Sequence, residues 1–491
     1  MRINNELLKG SAVVSVITFF GHILSTVLKL LISRNYGVIG FGRYALIMAL
    51  SRFLSTVVQM GFNQSIVHFV SKFKAKEDWS NINHFFISGI IQIVKVASVV
   101  IISLLLFQDI LLGVVNLENG GLYTVLFVSA ISSIIAINNF ISGSLRGLKF
   151  FKEQAILFTS TFPLLMIISL LGLKWFSVEP PTIYHFLFIG ILLNVIILSI
   201  AFVLTRRLIS KRVDPSAPKS DIKGLTTYSM PIWLSSVLQN AFTSSDRIML
   251  GIFSSITQVG IYGAGLTFSI LFAFPLKAMG PVFQPYIIEY YSNNDYAGIN
   301  KMYNMMVRWS SLFVIPAFSG LLCFGDHLIQ IFGVGFDRAY EVMIILSIAQ
   351  MISTISGIAG TMLNLTEKQG SHTKIMAMGF IITIILNLLL IPKYGAIGAA
   401  VGTGISLLIT NVSRVLRLTK YYSLKTDYSI VFWLIVKFTP LVLICYGIIQ
   451  QDLVHWLVLL GAYLIASAVI VYYSLSKNEK IYLKAYIGKV I

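Results

Sequence analysis

The chain has 491 residues, of which 56% are hydrophobic and only 11% are charged, and its mean hydropathy is +0.84. Because soluble domains carry about 25% charged residues, this composition excludes a soluble enzyme, a disordered tail protein and a fibrous repeat. In a soluble protein, the net charge of +18 would suggest a nucleic-acid partner. In a membrane protein, the first question is where the positive charges lie relative to the bilayer.

Long apolar stretches occur along the whole chain. A helix that spans a bilayer needs about 20 apolar residues. We therefore expect an all-α, polytopic membrane protein with about 14 transmembrane helices. They are predicted near residues 11–33, 41–64, 84–107, 121–143, 154–173, 182–205, 227–250, 259–284, 309–331, 340–363, 373–392, 396–415, 428–449 and 453–475.

The positive charges between the spans predict the orientation. With the N-terminus inside, 26 of the 37 Lys and Arg residues fall in inner segments and 5 in outer segments. Cytoplasmic loops carry such an excess, so we expect a multi-pass protein of the plasma membrane with both termini in the cytoplasm. The same distribution accounts for most of the net charge, and no nucleic-acid partner is expected.

The longest connection between spans predicts the domain boundaries. Residues 206–226 are basic, contain two prolines and are expected to form a cytoplasmic linker. They would separate an N-terminal six-helix bundle, residues 1–205, from a C-terminal six-helix bundle, residues 227–420. Residues 421–491 are predicted to add two transmembrane helices and a basic cytoplasmic tail.

A short motif indicates that the two bundles are related by an internal repeat. Gly42 and Tyr44 correspond to Gly260 and Tyr262 at an offset of 218 residues. Transporters often contain such repeats, with the substrate site between the two halves. Chance placement of glycines in hairpins is the alternative explanation.

Charged residues inside the predicted spans are the candidate binding residues. Each costs at least about 2.5–3.5 kcal/mol near a helix centre, so it is expected to face a hydrated cavity, a partner or a ligand. Six cations lie in these spans, of which Lys277 and Lys437 can extend to an interface. The other four, Lys29, Arg52, Lys95 and Arg247, accompany one clear acid, Asp246. Their excess would attract anions, above all phosphates, which arginine can bind through two parallel hydrogen bonds. Asp246 would either form a structural ion pair with Arg247 or bind a coupling proton or Na+.

Polar side chains continue along the same faces of several spans. At helical spacing they form stripes that cannot all face lipid, and we expect them to line a shared hydrated cavity. Helix packing is the alternative role, since polar side chains also join membrane helices. The candidates are His22 in the first span, Gln59 in the second, Gln239 and Asn240 in the seventh, and Gln350 and Asn364 in the tenth.

Motifs for covalent chemistry are missing from the sequence. It contains no phosphate-binding glycine loop, no histidines at metal-ligand spacing and no nucleophile elbow. Cys323 and Cys445 both fall in apolar runs, which argues against a disulfide framework or a metal cluster. We therefore expect a transporter that is not an enzyme, with no cofactor or metal, and that ATP does not drive through this chain alone.

Three glycine-rich segments carry a family resemblance. They are SRNYGVIGFGRYAL at 33–46, DRIMLGIFSSITQVGIYGAG at 246–265 and LLLIPKYGAIGAAVGTGIS at 388–406. In this order and spacing the chain resembles, over essentially its whole length, the Wzx-type flippases of O-antigen and capsule repeat units. These belong to the multidrug/oligosaccharidyl-lipid/polysaccharide exporter (MOP) superfamily.

The resemblance implies a V-shaped pair of six-helix bundles and a function. That function is ion-driven export of an oligosaccharide linked to undecaprenyl pyrophosphate, or to a related polyprenyl carrier, from the inner to the outer leaflet. A polysaccharide polymerase and glycosyltransferases would be partners alongside membrane lipids. No ion-site motif matches residue by residue, so the coupling ion stays open. An ion-coupled multidrug or cation antiporter of the same fold is the alternative.

Overall fold

The computed structural model describes residues 5–109, 113, 121–176, 182–213, 223–451, 454–476 and 479–480, and in these ranges the regular structure is entirely helical. The first seven helices are α1 (Asn5–Gln59), α2 (Phe62–Ala75), α3 (Trp79–Leu106), α4 (Gly121–Gly147), α5 (Phe151–Ala155), α6 (Phe162–Phe176) and α7 (Ile183–Ser210). The next seven are α8 (Lys223–Phe253), α9 (Ile256–Ser269), α10 (Phe274–Ser292), α11 (Tyr296–Gln330), α12 (Ala339–Ile355), α13 (Ala359–Leu365) and α14 (Gln369–Tyr422). The last two are α15 (Ser429–Gln450) and α16 (Trp456–Ser474). A π-helical turn, Ile156–Thr161, joins α5 to α6, and a 3-10 turn, Ile270–Ala273, joins α9 to α10.

The helices confirm the all-α, polytopic membrane class. Within the described ranges, 10 helices are long and apolar enough to cross a membrane, or 11 if the bent pair α12 and α13 is one span. Every predicted span overlaps a described helix over most of its length, although the count of fourteen is not confirmed. The difference arises partly because α1 and α14 each contain two of the predicted spans.

Two glycines interrupt these very long helices. Gly37 in α1 has φ 66° and ψ −173°, and Gly395 in α14 has φ 55° and ψ −128°. A positive φ at these ψ values is essentially restricted to glycine, because a Cβ would clash with the backbone. Both glycines belong to the same pattern, Tyr-Gly-x-Ile-Gly, at residues 36–40 and 394–398. The pattern therefore marks the point where one predicted span ends and the next begins.

The described contacts divide the chain into two compact units. The first comprises Met1–Gly263 and Asn387–Ala399, and the second comprises Ala264–Leu386 and Ala400–Ile491. The predicted division into residues 1–205, 206–226, 227–420 and 421–491 follows the sequence repeat and stays a prediction. Residues 214–222 of the predicted linker and 481–491 of the predicted tail lie outside the described residues.

Small residues allow close helix packing in the first unit. A Cβ added to Gly143 of α4 would lie 2.6 Å from the backbone oxygen of Asn63, and one added to Gly147 would lie 2.8 Å from Cβ of Val70. One turn earlier on α4, the rings of Phe86 and Phe140 stack with centroids 6.0 Å apart. Lipid is as apolar as the side chains, so helices in a membrane associate through such close van der Waals packing.

In the second unit, polar contacts join the last helices to α11. The hydroxyl of Tyr463 on α16 donates a hydrogen bond to the carbonyl oxygen of Pro316 at 2.6 Å and lies 2.6 Å from Oγ of Ser319. At the end of α16, Arg308 on α11 binds both carboxylate oxygens of Glu479 at 3.2 and 3.1 Å. Polar contacts therefore join the α15–α16 pair to α11 at two levels.

Candidate functional site

Three of the predicted cations come together in the first unit. Lys29 and Arg52 lie on α1, on opposite sides of the Gly37 interruption, and Arg247 lies near the end of α8. Lys29 is within electrostatic range of both arginines, and Arg52 is within range of Arg247. We call Lys29, Arg52 and Arg247 the cation cluster. Because like charges repel, an anion bound among them would stabilise the arrangement.

The cation cluster combines burial with access. Arg52 has an exposed side chain although dense protein surrounds it at longer range. Lys29 is half-buried, and the side chain of Arg247 is 13% exposed. Side chains that line an internal recess show this combination, since protein encloses them while one face stays open to solvent. The geometry therefore fits charged groups that a ligand can reach.

Asp246 neutralises the cluster only in part. It is 3% exposed, and its carboxylate accepts hydrogen bonds from the hydroxyl of Tyr262 and from the backbone N–H of Arg247, the latter at 2.8 Å. Its Oδ1 lies 3.9 Å from Nε of Arg247, but that Nε makes no hydrogen bond. The guanidinium instead donates to the backbone oxygen of Thr243 at 3.0 Å. One acid therefore faces three cations, and the cluster keeps a positive charge.

The fourth predicted cation is Lys95. It is exposed on α3 and is not among the electrostatic partners of Lys29 or Arg52. A long lysine side chain can extend along a helix and keep its ammonium group at a polar interface. The place of Lys95 in the cavity stays a prediction.

The predicted polar lining residues of the first unit differ in exposure. His22 and Gln239 have exposed side chains, and Asn240 is half-buried. The Asn240 amide donates to the backbone oxygen of Ser236 at 3.1 Å, within its own helix. Gln59 is buried and its amide reaches Oγ of Ser55 at 3.5 Å, which fits helix packing better than contact with a ligand.

The remaining two polar candidates belong to the second unit. Gln350 is half-buried on α12, and Asn364 is exposed on α13. The backbone oxygen of Asn364 accepts a hydrogen bond from the Gln369 side chain at 3.4 Å. Their role as cavity lining stays a prediction.

Two tyrosines that the sequence marked only as repeat positions lie at the site. Tyr262 donates its hydroxyl proton to Asp246, and Tyr44 is within electrostatic range of Arg52. Sequence reasoning did not assign them a role there. The available signal was their shared place in the repeat, two residues after Gly42 and Gly260.

The three glycine-rich segments contact one another in the first unit. A Cβ on Gly42 would overlap the backbone oxygen of Ile256, and one on Gly260 would overlap that of Val38. The side-chain oxygen of Gln258 accepts a hydrogen bond from the backbone N–H of Ala396 at 2.9 Å, just after the Gly395 interruption. These contacts fix the start of α9 and hence place Tyr262 beside Asp246.

A match to a known protein family covers most of the first unit. Residues 7–289 match the family described as "Polysaccharide biosynthesis protein". The chain belongs to this polysaccharide biosynthesis protein family. The matched region contains the whole cation cluster of Lys29, Arg52 and Arg247, together with Asp246 and Tyr262.

Curated relatives of this polysaccharide biosynthesis protein come from Haloferax volcanii. The chain is 28% identical over 226 residues to the probable low-salt glycan biosynthesis flippase Agl15, covering 45% of this chain and 48% of the relative. It is 24% identical over 409 residues to the probable flippase AglR, covering 82% of this chain and 80% of the relative. The match thus spans about half the length of Agl15 and most of the length of AglR.

A solved structure shows the same fold. The lipid II flippase MurJ in an inward closed conformation superposes with a TM-score of 0.70 at 16% sequence identity, covering 96% of this chain and 99% of the other. At this identity the likeness concerns the fold alone. The polysaccharide biosynthesis protein therefore has a MurJ-like arrangement of membrane helices.

Proposed function

We propose that the chain is a flippase that moves a polyprenyl-pyrophosphate-linked oligosaccharide from the inner to the outer leaflet for cell-surface polysaccharide biosynthesis. The observation that carries the proposal is the cation cluster of Lys29, Arg52 and Arg247, which only one carboxylate partly neutralises. The family membership and the relatives named as flippases support the same function.

The cation cluster would hold the pyrophosphate of the lipid carrier. A guanidinium presents a planar fork that matches two phosphate oxygens, and the ammonium of Lys29 supplies a more compact charge. Polar side chains such as Gln239 would contact the glycan, while the polyprenyl tail stays in the bilayer. Alternating access would carry the headgroup across, and no covalent bond needs to change.

Asp246 would keep Arg247 oriented within the cluster. Its hydrogen bonds to Tyr262 and to the Arg247 backbone fit a structural ion pair. Binding of a coupling proton or Na+ is the other proposed role of this carboxylate. The chain would act in the plasma membrane with both termini in the cytoplasm, next to the glycosyltransferases and the polymerase that make and use its substrate.

Charge reversal at Arg52 tests the proposed function. In proteoliposomes that contain a pyrophosphate-linked oligosaccharide lipid, R52E is expected to reduce translocation at least tenfold, while R52K retains part of it. R338E makes the same charge change at an exposed residue of the second unit and is expected to translocate normally. Normal translocation by R52E at a normal protein level would overturn the proposal. Dye efflux by the wild type without lipid translocation would indicate the antiporter instead.

A further inference from the structure

A second cationic site lies in the second unit, around Arg414 of α14. Its Nη1 donates to Oδ1 of Asn411 at 3.0 Å, and its Nη2 points at the sulfur of Met376 at 2.6 Å. Its Nε is buried and makes no hydrogen bond. A thioether is a weak acceptor, so only one of the three guanidinium nitrogens, Nη1, donates to a good hydrogen-bond acceptor. The described residues form two salt bridges, Arg247–Asp246 and Arg308–Glu479, and Arg414 takes part in neither of them.

A histidine with an unused ring nitrogen lies beside this arginine. His372 is within electrostatic range of Arg414, and its buried Nδ1 has no hydrogen-bond partner. Both side chains lie over Gly360 of α13. A Cβ there would come within 2.9 Å of the His372 ring and 3.2 Å of Nε of Arg414. The glycine therefore lets the two unsatisfied nitrogens approach the same place.

Further positive charges lie near the end of α14 that carries Arg414. The ammonium of Lys368 lies 5.2 Å from the centre of the Tyr421 ring, and Arg417 and Lys420 are within electrostatic range of the same tyrosine. Arg417 is exposed and follows Arg414 by three residues, so it lies on the next helical turn towards the end of α14. Cations thus continue from the exposed end of the helix to the half-buried Arg414.

The length of α14 places this site at a membrane surface. Arg414 follows the Gly395 interruption by 19 residues, which corresponds to about 28 Å of helix, close to the roughly 30 Å of a bilayer's hydrocarbon core. His372 precedes Gly395 by a slightly longer stretch of helix. If Gly395 is at one surface, Arg414 and His372 are at the opposite one, which we expect to face the cytoplasm. Lipid phosphates lie at this level.

We propose that Arg414 and His372 form a binding site for the phosphate of a lipid headgroup. A phosphate supplies an acceptor for Nε and Nη2 of Arg414 at once, a further one for His372, and the missing negative charge. The headgroup belongs to an anionic membrane phospholipid or to a polyprenyl pyrophosphate. The inference goes beyond the proposed function, because this site lies outside the cation cluster and exists whichever of the two lipids it holds.

The test measures lipid binding to the purified full-length protein by native mass spectrometry. The probes are phosphatidylglycerol, farnesyl pyrophosphate and, as a neutral lipid, phosphatidylcholine. All variants are made in an R52E background, so that binding at the cation cluster does not contribute. We expect phosphatidylglycerol or farnesyl pyrophosphate to bind R52E, and phosphatidylcholine to bind at least tenfold more weakly. The probe that binds more tightly identifies the source of the phosphate.

Substitution at Arg414 then locates the bound lipid. R414Q is expected to weaken binding of the tighter probe at least tenfold, whereas K374Q, which removes an exposed charge two residues after His372, is expected to change it less than twofold. If R414Q yields too little folded protein, R414M, which keeps the length of the side chain without its charge, replaces it with the same expectation. Unchanged binding by the Arg414 variant, or no anionic lipid bound to R52E, overturns the inference. Neither result bears on R52E translocation, so the two proposals can fail separately.

Discussion

Gly42 of α1 packs directly against the segment that begins α9, and Gly260 packs back against α1, with its would-be Cβ 3.3 Å from the backbone nitrogen of Gly42. These are the two glycines that the sequence pairs at an offset of 218 residues. The repeated motif therefore meets its own copy in the folded chain. Neither position has room for a side chain, which explains why both copies carry glycine there.

Alanine at either glycine is expected to destabilise the fold. Since the added methyl group would overlap a backbone oxygen of Ile256 or Val38, G42A and G260A should each cost about 1–3 kcal/mol and lower the thermal midpoint in detergent. G447A is the matched control, because nothing lies within 4 Å of a Cβ at this position in α15. It should leave the midpoint unchanged or raise it slightly. Equal midpoints for all three variants would contradict the close contact.

Alanine variants of Gly37 and Gly395 distinguish backbone strain from steric overlap. A Cβ on Gly37 meets nothing within 4 Å, so G37A should cost only the positive-φ strain of about 1–3 kcal/mol. A Cβ on Gly395 would also lie 2.6 Å from Oε1 of Gln258, and G395A should therefore be the more destabilising of the two. Thermal unfolding of both variants checks the order. A larger loss of stability for G37A than for G395A would contradict the added overlap at Gly395.

Removal of the Tyr262 hydroxyl is expected to destabilise the site. Y262F would take a hydrogen-bond donor from the buried carboxylate of Asp246 at a cost of about 1–3 kcal/mol. Under the proposal that Asp246 keeps Arg247 oriented, the affinity for a pyrophosphate lipid should also fall. Y473F changes a tyrosine that is 71% exposed and serves as the control. If Y262F and Y473F behave alike in thermal unfolding and lipid binding, the hydrogen bond has no such role.

Protonation of Glu479 is expected to loosen the end of α16. Partial burial by itself would raise the pKa of Glu479, but hydrogen bonds from Arg308 and Ser476 outweigh it and lower the pKa to about 2. A lowered pKa means that the stabilisation is complete above the usual glutamate pKa of about 4.3 and disappears as the pH falls towards 2. E479Q should therefore be less stable than the wild type at pH 7 by about 1–3 kcal/mol, and this difference should shrink below about pH 4.

Thermal unfolding of E479Q and the wild type at several pH values measures this difference. E289Q is a suitable control, because Glu289 lies at the end of α10 and makes neither of the salt bridges of the described residues. A difference between E479Q and the wild type that stays constant down to pH 3 would show that the ion pair is not its source.

Charge and helical spacing together predicted most of the cation cluster. Arg52 and Arg247 each head or end a polar stripe, and a charge in an apolar span needs a polar environment, so their convergence follows from the sequence. Lys95 met the same criterion and its role stays a prediction, because spacing defines a face of a helix without showing what that face meets. In the sequence, Arg414 was only one of the 26 inner cations that predict the orientation. Its position near the end of a span would allow it to reach water even in an isolated helix.

The hydrogen bond between Tyr262 and Asp246 could not be predicted from spacing within one helix. The two residues are 16 apart and lie on different helices, α9 and α8. Their contact depends on the turn between these helices, and Gly42 and Gly260 fix that turn from another part of the chain. A pattern within a single helix contains no information about such a turn.

The link between Arg308 and Glu479 also has a consequence for biosynthesis. The two residues are 171 positions apart, so at about 5–20 residues per second a ribosome needs about 9–34 s to synthesise the second after the first. During that interval Arg308 lacks the carboxylate that it binds in the folded chain. The contact between α11 and the segment after α16 can therefore form only late in the synthesis of the chain.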